Sequence, residues 1–492
     1  MKHRPRDVLV VGNGIIGLSV AFELARRDSG LRIAVLGDPA REGAASTAAG
    51  AMLNCFAEAT TATLTHPAAA AKTAVGHRAL NAWPAWFGKL REAAGEANGT
   101  PSWTDGTFVV LAATAVDHTM RNYQAIRTAL ASFGEPYEEV SPADIDGLDA
   151  DANARPVRAM FLPREGAVDA RAVLALLERA LAARSVDLVP EEARGLEIVD
   201  GRVLGVRLDG GETLSADTVV LCAGSLTQKF IEELPPGAVP PMLHGTGMAV
   251  QTRRERFPGF RHVVRTPNQA GACGLHLVPS PDAGQEYIGA TNSLSFQPSK
   301  GVTVGASYNL LRAACEQFDR RLGYSRIERL LVGRRPVPLD GFPLIGKVPS
   351  CAGLVFATGT YRDGFHCSPV IAGYVADLVL QGDATDPGFA HFRPERAPIQ
   401  EMTVPESVEQ FAAQWIDGAS EIGIRLPYCV DPDLLTRDLR RRADEIYERL
   451  ESPVALPPDV LAALNRDASE DVGRLAAYLR SAGEHHGAVV RR

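Results

Sequence analysis

The stretch from Val8 to Leu36 constrains the fold more than any other part of this chain. Val8-Leu9-Val10-Val11 reads as a buried strand, and Gly12-Asn13-Gly14-Ile15-Ile16-Gly17 as a glycine turn. In the LSVAFELARR that follows, Leu18, Ala21, Phe22, Leu24 and Ala25 recur at helical spacing. A second apolar strand is predicted over Arg32 to Leu36. Strand, glycine turn, helix and strand form a βαβ unit, which is about 30 residues long. Each glycine then has a physical reason. Gly12 permits the tight turn, Gly14 lets the backbone approach a pyrophosphate, and Gly17 lets helix and strand pack closely. The N–H groups at the helix start, around Gly14, Ile15, Ile16 and Gly17, attract phosphate together with the helix dipole. The competing reading is an ordinary glycine-rich turn, and the strand-turn-helix context weighs against it.

The acidic residue expected to bond ribose hydroxyls after the second strand is displaced by one position, onto Asp38. Two roles stay open for it: reaching the ribose, or capping its own turn. No arginine stands in its place to receive a 2′-phosphate, so NADP is disfavoured.

Composition narrows the class. At 492 residues, two to four domains are expected, since domains run to roughly 150 residues. An apolar fraction of 46% excludes disorder across the whole chain. A net charge of −8 argues against a nucleic-acid binder built on phosphate contacts. Seven cysteines with no C-x-x-C pair point away from a disulfide framework, and no metal site is expected. No run of eighteen apolar residues exists, so no membrane span is predicted. The apolar run after the basic start is too short for a signal peptide, which makes a cytoplasmic location the expectation.

Further on, strands are predicted at 157–163, 185–189, 196–199 and 217–222, the last ending in Ala223-Gly224. A hairpin-like segment spans 201–207, and alternating strands lie between 242 and 290. Helices are predicted after Asp169, over 303–322 and over 368–380, with a buried strand at 352–358 before Gly359. The expected class is α/β (α+β overall). A discontinuous Rossmann-like dinucleotide-binding domain covers 1–60, 157–232 and 327–395. An inserted antiparallel β-sheet substrate domain covers 61–156 and 233–326. A small helical C-terminal appendage occupies 400–492, with Leu435, Leu439, Ile446 and Leu450 on one helix face. Packing is its expected role; a homo-oligomer contact, a cover over the site, or docking of a carrier protein stay open. The last residues, SAGEHHGAVVRR, are expected to form a loose tail with His485 and His486 solvated.

Seven blocks in order then resemble the FAD-dependent amine and amino-acid oxidoreductases of the D-amino-acid oxidase superfamily, in the glycine oxidase and sarcosine oxidase branch, over residues 7–385. They are DVLVVGNGIIGLSVAFELA; Ala45 to Met52; Gly166 to Arg171; DTVVLCAG; HLVPSPDAGQEYIGATNS; Gly333-Arg334-Arg335-Pro336 with Asp340 to Gly346; and Ala357 to Gly364. The resemblance implies FAD. It also implies a small-residue segment along the pyrophosphate toward the ring, comprising Ser46, Thr47, Ala49, Gly50, Ala51 and Met52. Further cofactor contacts are implied at Ala223, Gly224, Arg335, Gly359, Arg362, Asp363 and Gly364. In the sarcosine oxidase branch a cysteine at the start of the sixth block carries the flavin; here that position is Gly333, so the implied FAD is noncovalent.

Arg335, within G-x-R-P, matches the family arginine that forks onto a substrate carboxylate, and Arg362 matches a second arginine near the flavin. The substrate side departs from glycine oxidases: His276 replaces a tyrosine, Ser280 an arginine and Thr360 a histidine. These departures point away from plain glycine. The implied reaction is oxidation of the C–N bond of a small amine or amino acid to an imine, with oxygen as acceptor and peroxide released. The expected catalytic residues are His276, Arg335 and Arg362. His276, expected to titrate near operating pH, would favour the neutral amine; His244 is a further substrate-site candidate. The alternatives are an FAD-dependent dehydrogenase of a hydroxy acid or other alcohol, a nicotinamide-dependent dehydrogenase, and a flavin-binding assembly protein without activity.

Overall fold

The computed structural model describes residues 6–96, 103–270, 273–280, 284–299, 301–382, 384–424, 427–467 and 469–487. The expected N-terminal unit forms as strand Arg6–Val11, helix Ile15–Arg27 and strand Ile33–Leu36. Arg6–Val11 pairs in parallel with Ile33–Leu36 on one side and Thr213–Leu221 on the other. Leu354–Thr358 and Asp187–Val189 extend the parallel sheet at its two ends.

Both faces of this sheet are covered, which is why its central strand is continuously apolar from Val8 to Val11 rather than alternating. Val8 and Val10 enter a core with helices Ile15–Arg27, Ala170–Ala182 and Gly364–Leu380. Leu9 and Val11 enter a separate core built with the antiparallel strands Ala193–Val199 and Arg202–Leu208. Helix Pro67–Ala93, for which the sequence shows no clean apolar period, packs on the first of these cores through Trp83, Trp86 and Leu90. The final helix of that core begins at Gly364, four residues before the predicted start at 368. Pro369 is the sixth residue of this helix, and the Phe365 carbonyl, which its missing N–H leaves without a ladder partner, accepts instead from the Ser368 hydroxyl at 2.9 Å.

Among the described residues the second sheet has ten strands. Its longest antiparallel ladder pairs Met242–Arg253 with Arg326–Pro338, and a second joins Trp103–Ala112 to Pro156–Val168. This sheet crosses the open edge of the dinucleotide unit: Met52–Leu53 leaves the cofactor segment and pairs with Gly166 and Ala167. Part of the fifth block, at 281–283, lies outside the described residues.

Beyond residue 400 come helices Val404–Glu421, Pro432–Leu450, Pro458–Asp467 and Ser469–His485. A capping box of Thr403 and Glu406 starts the first. Their core is not self-contained. Leu439, Ile446, Leu461, Leu475 and Leu479 pack together with Leu243, Leu294 and Val337 of the second sheet and with Leu339 just beyond it. The tail expected to be loose is helical through His485, whose side chain is exposed as expected, whereas the His486 ring bonds the carbonyls of Gly237 and Ala238 and is docked rather than solvated. Residues 488–492 lie outside the described residues. Among the described residues, no helix is long and apolar enough to cross a membrane.

Candidate functional site

A cavity of about 800 Å³ runs from the glycine turn to the underside of the second sheet. At one end, Gly12 sits at φ +116°, where a Cβ would lie 2.3 Å from the carbonyl O of Cys222. Gly14, Ile15 and Ile16 line the cavity; Gly17 does not, because its role is contact. A Cβ on Gly17 would lie 1.9 Å from the carbonyl O of Gly12. The helix opening at Ile15 carries no acidic side chain in its first turn, so its N–H groups and positive dipole end remain suited to phosphate.

Asp38 lines the cavity, and its carboxylate also accepts from the Ala40 N–H at 2.8 Å, capping its own turn. Beside it, Arg41 also lines the cavity, held by the carbonyl of Asn13 at 2.9 Å and by Glu178. It had no sequence signal, because a left-handed residue in a turn places it (φ +49°).

The small-residue segment runs along one wall. Ser46 Oγ accepts from the Ile15 N–H at 3.0 Å, pinning segment to helix start. Ser46, Ala49, Gly50, Ala51 and Met52 line the cavity, whereas Thr47 turns its hydroxyl to the Ala44 carbonyl instead. Tyr287 explains the small residues: its hydroxyl donates to the Ala48 carbonyl at 3.0 Å, and a Cβ on Gly50 would lie 2.8 Å from its ring. Opposite, Ala223 and Gly224 close the sheet end, with Asp363 and Gly364 at the start of helix Gly364–Leu380. Gly359 does not line the cavity; its φ of +73° shapes the turn packed against Pro338.

The far end gathers charge. Arg335 and Arg362 both line the cavity. The Arg335 guanidinium donates to the Thr291 carbonyl at 3.1 Å and to Asn292 Oδ1 at 3.2 Å. It fits only because position 247 is glycine: a Cβ there would lie 2.2 Å from Arg335 Nη1. Arg362 lies 4.7 Å over the Tyr361 ring, and its Nε is buried without a partner. Tyr361 is the junction of this end. Asn292 Nδ2 donates to its hydroxyl oxygen at 2.6 Å, Arg362 Nη2 lies 3.4 Å away, and the hydroxyl donates to Asp459 Oδ2 at 3.4 Å.

Sequence reasoning missed Tyr361, Tyr287, Glu58 and Arg265. Glu58 pairs with Arg265, which is fully buried, and stands 3.8 Å from Arg362. Burial alone would raise its carboxyl, but the charges of Arg265 and Arg362 outweigh that and hold it down to about 2. The only available signal was an isolated charge within an apolar stretch, LNCFAEA.

His276 lines the cavity, stacked on Tyr287 with centroids 5.8 Å apart. The expectation that it titrates near operating pH is not met. Burial, reinforced by the charges of Arg265 and Arg335, pushes it down to about 4 despite its bond to the Gly274 carbonyl at 2.9 Å. His244 is buried in the sheet and does not line this cavity.

The glycine-shaped approach, the helix start and the small-residue wall together fit a dinucleotide cofactor. The comparisons identify which. The bifunctional protein ThiO/ThiG of Trichormus variabilis is 28% identical over 404 residues, covering 81% of this chain and 56% of that protein. The chain therefore spans little more than half the length of that relative. The glycine oxidase of Geobacillus kaustophilus is 29% identical over 391 residues, covering 77% of this chain and 94% of that protein. Its crystal structure superimposes with a TM-score of 0.66 at 25% identity, over 80% of this chain and 99% of that one. The iminodiacetate oxidase of Chelativorans shares the fold, with a TM-score of 0.66 at 20% identity over 80% of this chain and 100% of that one. The match to the FAD dependent oxidoreductase family extends over residues 7–378, and the chain belongs to that family.

Proposed function

We propose that this chain oxidises the C–N bond of a small amine or amino acid bearing a carboxylate, giving an imine, with oxygen as acceptor and peroxide released. The observation that carries this reading is the pairing of Arg335 and Arg362 at the end of one cavity whose other end is the glycine turn. Glycine oxidase and iminodiacetate oxidase, among the proteins it resembles, are named for carboxylate-bearing amines.

FAD held along the glycine turn and the small-residue wall would supply the electron acceptor. The protein's part is binding and orientation. Arg335 and Arg362 present guanidinium groups that stay charged when partly buried and suit a carboxylate in a forked geometry. Asn292 and Tyr361 hold both of them in place. His276 stays neutral at physiological pH, so it borders the reacting centre without adding charge there. Glu58 stays ionised and offsets the arginine charge, which keeps the cavity able to accept a substrate carrying an amine.

The test is anaerobic titration of the purified flavoprotein with small amino acids and amines, followed by oxygen. Bleaching of the flavin by a carboxylate-bearing amine and rapid return of the colour with peroxide is the expected result. Bleaching by a hydroxy acid and not by any amine overturns the C–N assignment. Bleaching by an amine with slow reoxidation overturns the oxygen assignment alone. We further propose noncovalent FAD: heat denaturation is expected to release the flavin to the supernatant.

A further inference from the structure

A second chamber of about 330 Å³ adjoins the first. Asn54, Glu58, Tyr361, Arg362, Asp363 and His366 border both, so the chamber opens from the arginine end of the main cavity. Its outer wall comes from beyond the family match: Glu401, Gln414, Pro457, Pro458 and Asp459.

Two hydrogen-bond acceptors on the shared wall have no donor. Asn54 is 3% exposed; its Nδ2 donates to Glu165 and Thr107, which leaves Oδ1 as the unpaired atom. His366 is 2% exposed; its Nε2 lies 2.7 Å from the Gly76 carbonyl and must carry the hydrogen. Its Nδ1 is therefore an acceptor, and it too is unpaired. Buried acceptors are normally satisfied, so two together on one cavity wall call for N–H groups from a ligand. The charged groups of the chamber agree. Its lysine, Lys72, is engaged by Asp363 at 2.9 Å, and the Asp459 carboxylate faces the same space as it accepts from Tyr361.

We propose that this chamber is a subsite for a distal amino group of the substrate, completed by the C-terminal helices through Asp459. The substrate is then an amino acid with its carboxylate on Arg335 and Arg362 and a second, cationic nitrogen beyond the shared wall. This deepens the function proposed above and rests on its carboxylate-binding reading.

The test uses the FAD-loaded full-length protein and measures binding through the flavin absorbance change. The probes are ω-amino acids of four to six carbons, each compared with the unsubstituted acid of the same length. The expected result is that at least one ω-amino acid binds tenfold or more tightly than its parent acid. Asp459→Asn is expected to cut that ratio at least threefold. Equal affinities across the series overturn the subsite and leave the carboxylate reading intact. Binding of no acid in either series overturns both. A preference unaltered by Asp459→Asn overturns the part given to the C-terminal helices.

Discussion

Arg335 is exposed enough to meet a ligand and rigid enough to orient it, because Thr291, Asn292 and the bare backbone at Gly247 fix its guanidinium. A charge-assisted hydrogen bond contributes about 1.5–3 kcal/mol. Arg335→Leu is therefore expected to lower kcat/KM for a carboxylate-bearing substrate by roughly 10- to 100-fold, since each 1.36 kcal/mol is a factor of ten. Steady-state kinetics with the matching amine lacking a carboxylate should show far less loss; an equal loss would remove the carboxylate role. His276 supports a pH prediction. Its folded value, about 4, lies below the ordinary 6.5, so the unfolded chain takes up the proton first as pH falls. Its contribution to stability is fully present above 6.5 and is lost as pH falls through about 4. In His276→Gln, equilibrium unfolding at pH 7 and pH 4.5 should show a smaller acid-induced loss than the wild type. The kcat/KM profile should carry no limb near pH 6.5 from this residue.

At the scale of the element, the glycine turn makes unequal demands. A Cβ on Gly17 would collide with backbone, at 1.9 Å from the Gly12 carbonyl O, and neither helix nor strand has room to yield. A Cβ on Gly14 would approach a side chain rather than backbone, the Ser46 hydroxyl at 3.0 Å, which can yield at the cost of its bond from the Ile15 N–H. Gly17→Ala is expected to purify with at least tenfold less flavin per protein than Gly14→Ala, as read from the ratio of visible to ultraviolet absorbance. Equal flavin content in the two variants would refute this division of roles.

For the molecule as a whole, the C-terminal helices share one core with the second sheet, so they unfold with it rather than as an independent lobe. Leu461 is fully buried in that core, and a Leu→Ala change at such a site costs about 2–5 kcal/mol. Leu461→Ala should therefore lower the denaturation midpoint in a single cooperative transition followed by flavin fluorescence and far-ultraviolet circular dichroism alike. Two separate transitions would mean that the helices are a detachable module.

What the sequence determined by itself was whatever local backbone physics writes into neighbouring residues. A glycine turn between a strand and a helix needs its three glycines at fixed spacing, so Gly12, Gly14 and Gly17 were legible, as were the strands around them. Arg335 and Arg362 were legible only through resemblance, because nothing local distinguishes them from surface arginines. Only the tertiary structure decided the rest. Helix Pro67–Ala93 carries no clean period, since several neighbours bury different faces of it. Glu58, Arg265, Tyr287 and Tyr361 come together from four distant segments, and the low value of His276 follows from burial by residues far away in the chain. The second chamber likewise exists only where the C-terminal helices meet the cavity end, because a cavity is a property of surfaces brought together and leaves no trace in either segment alone.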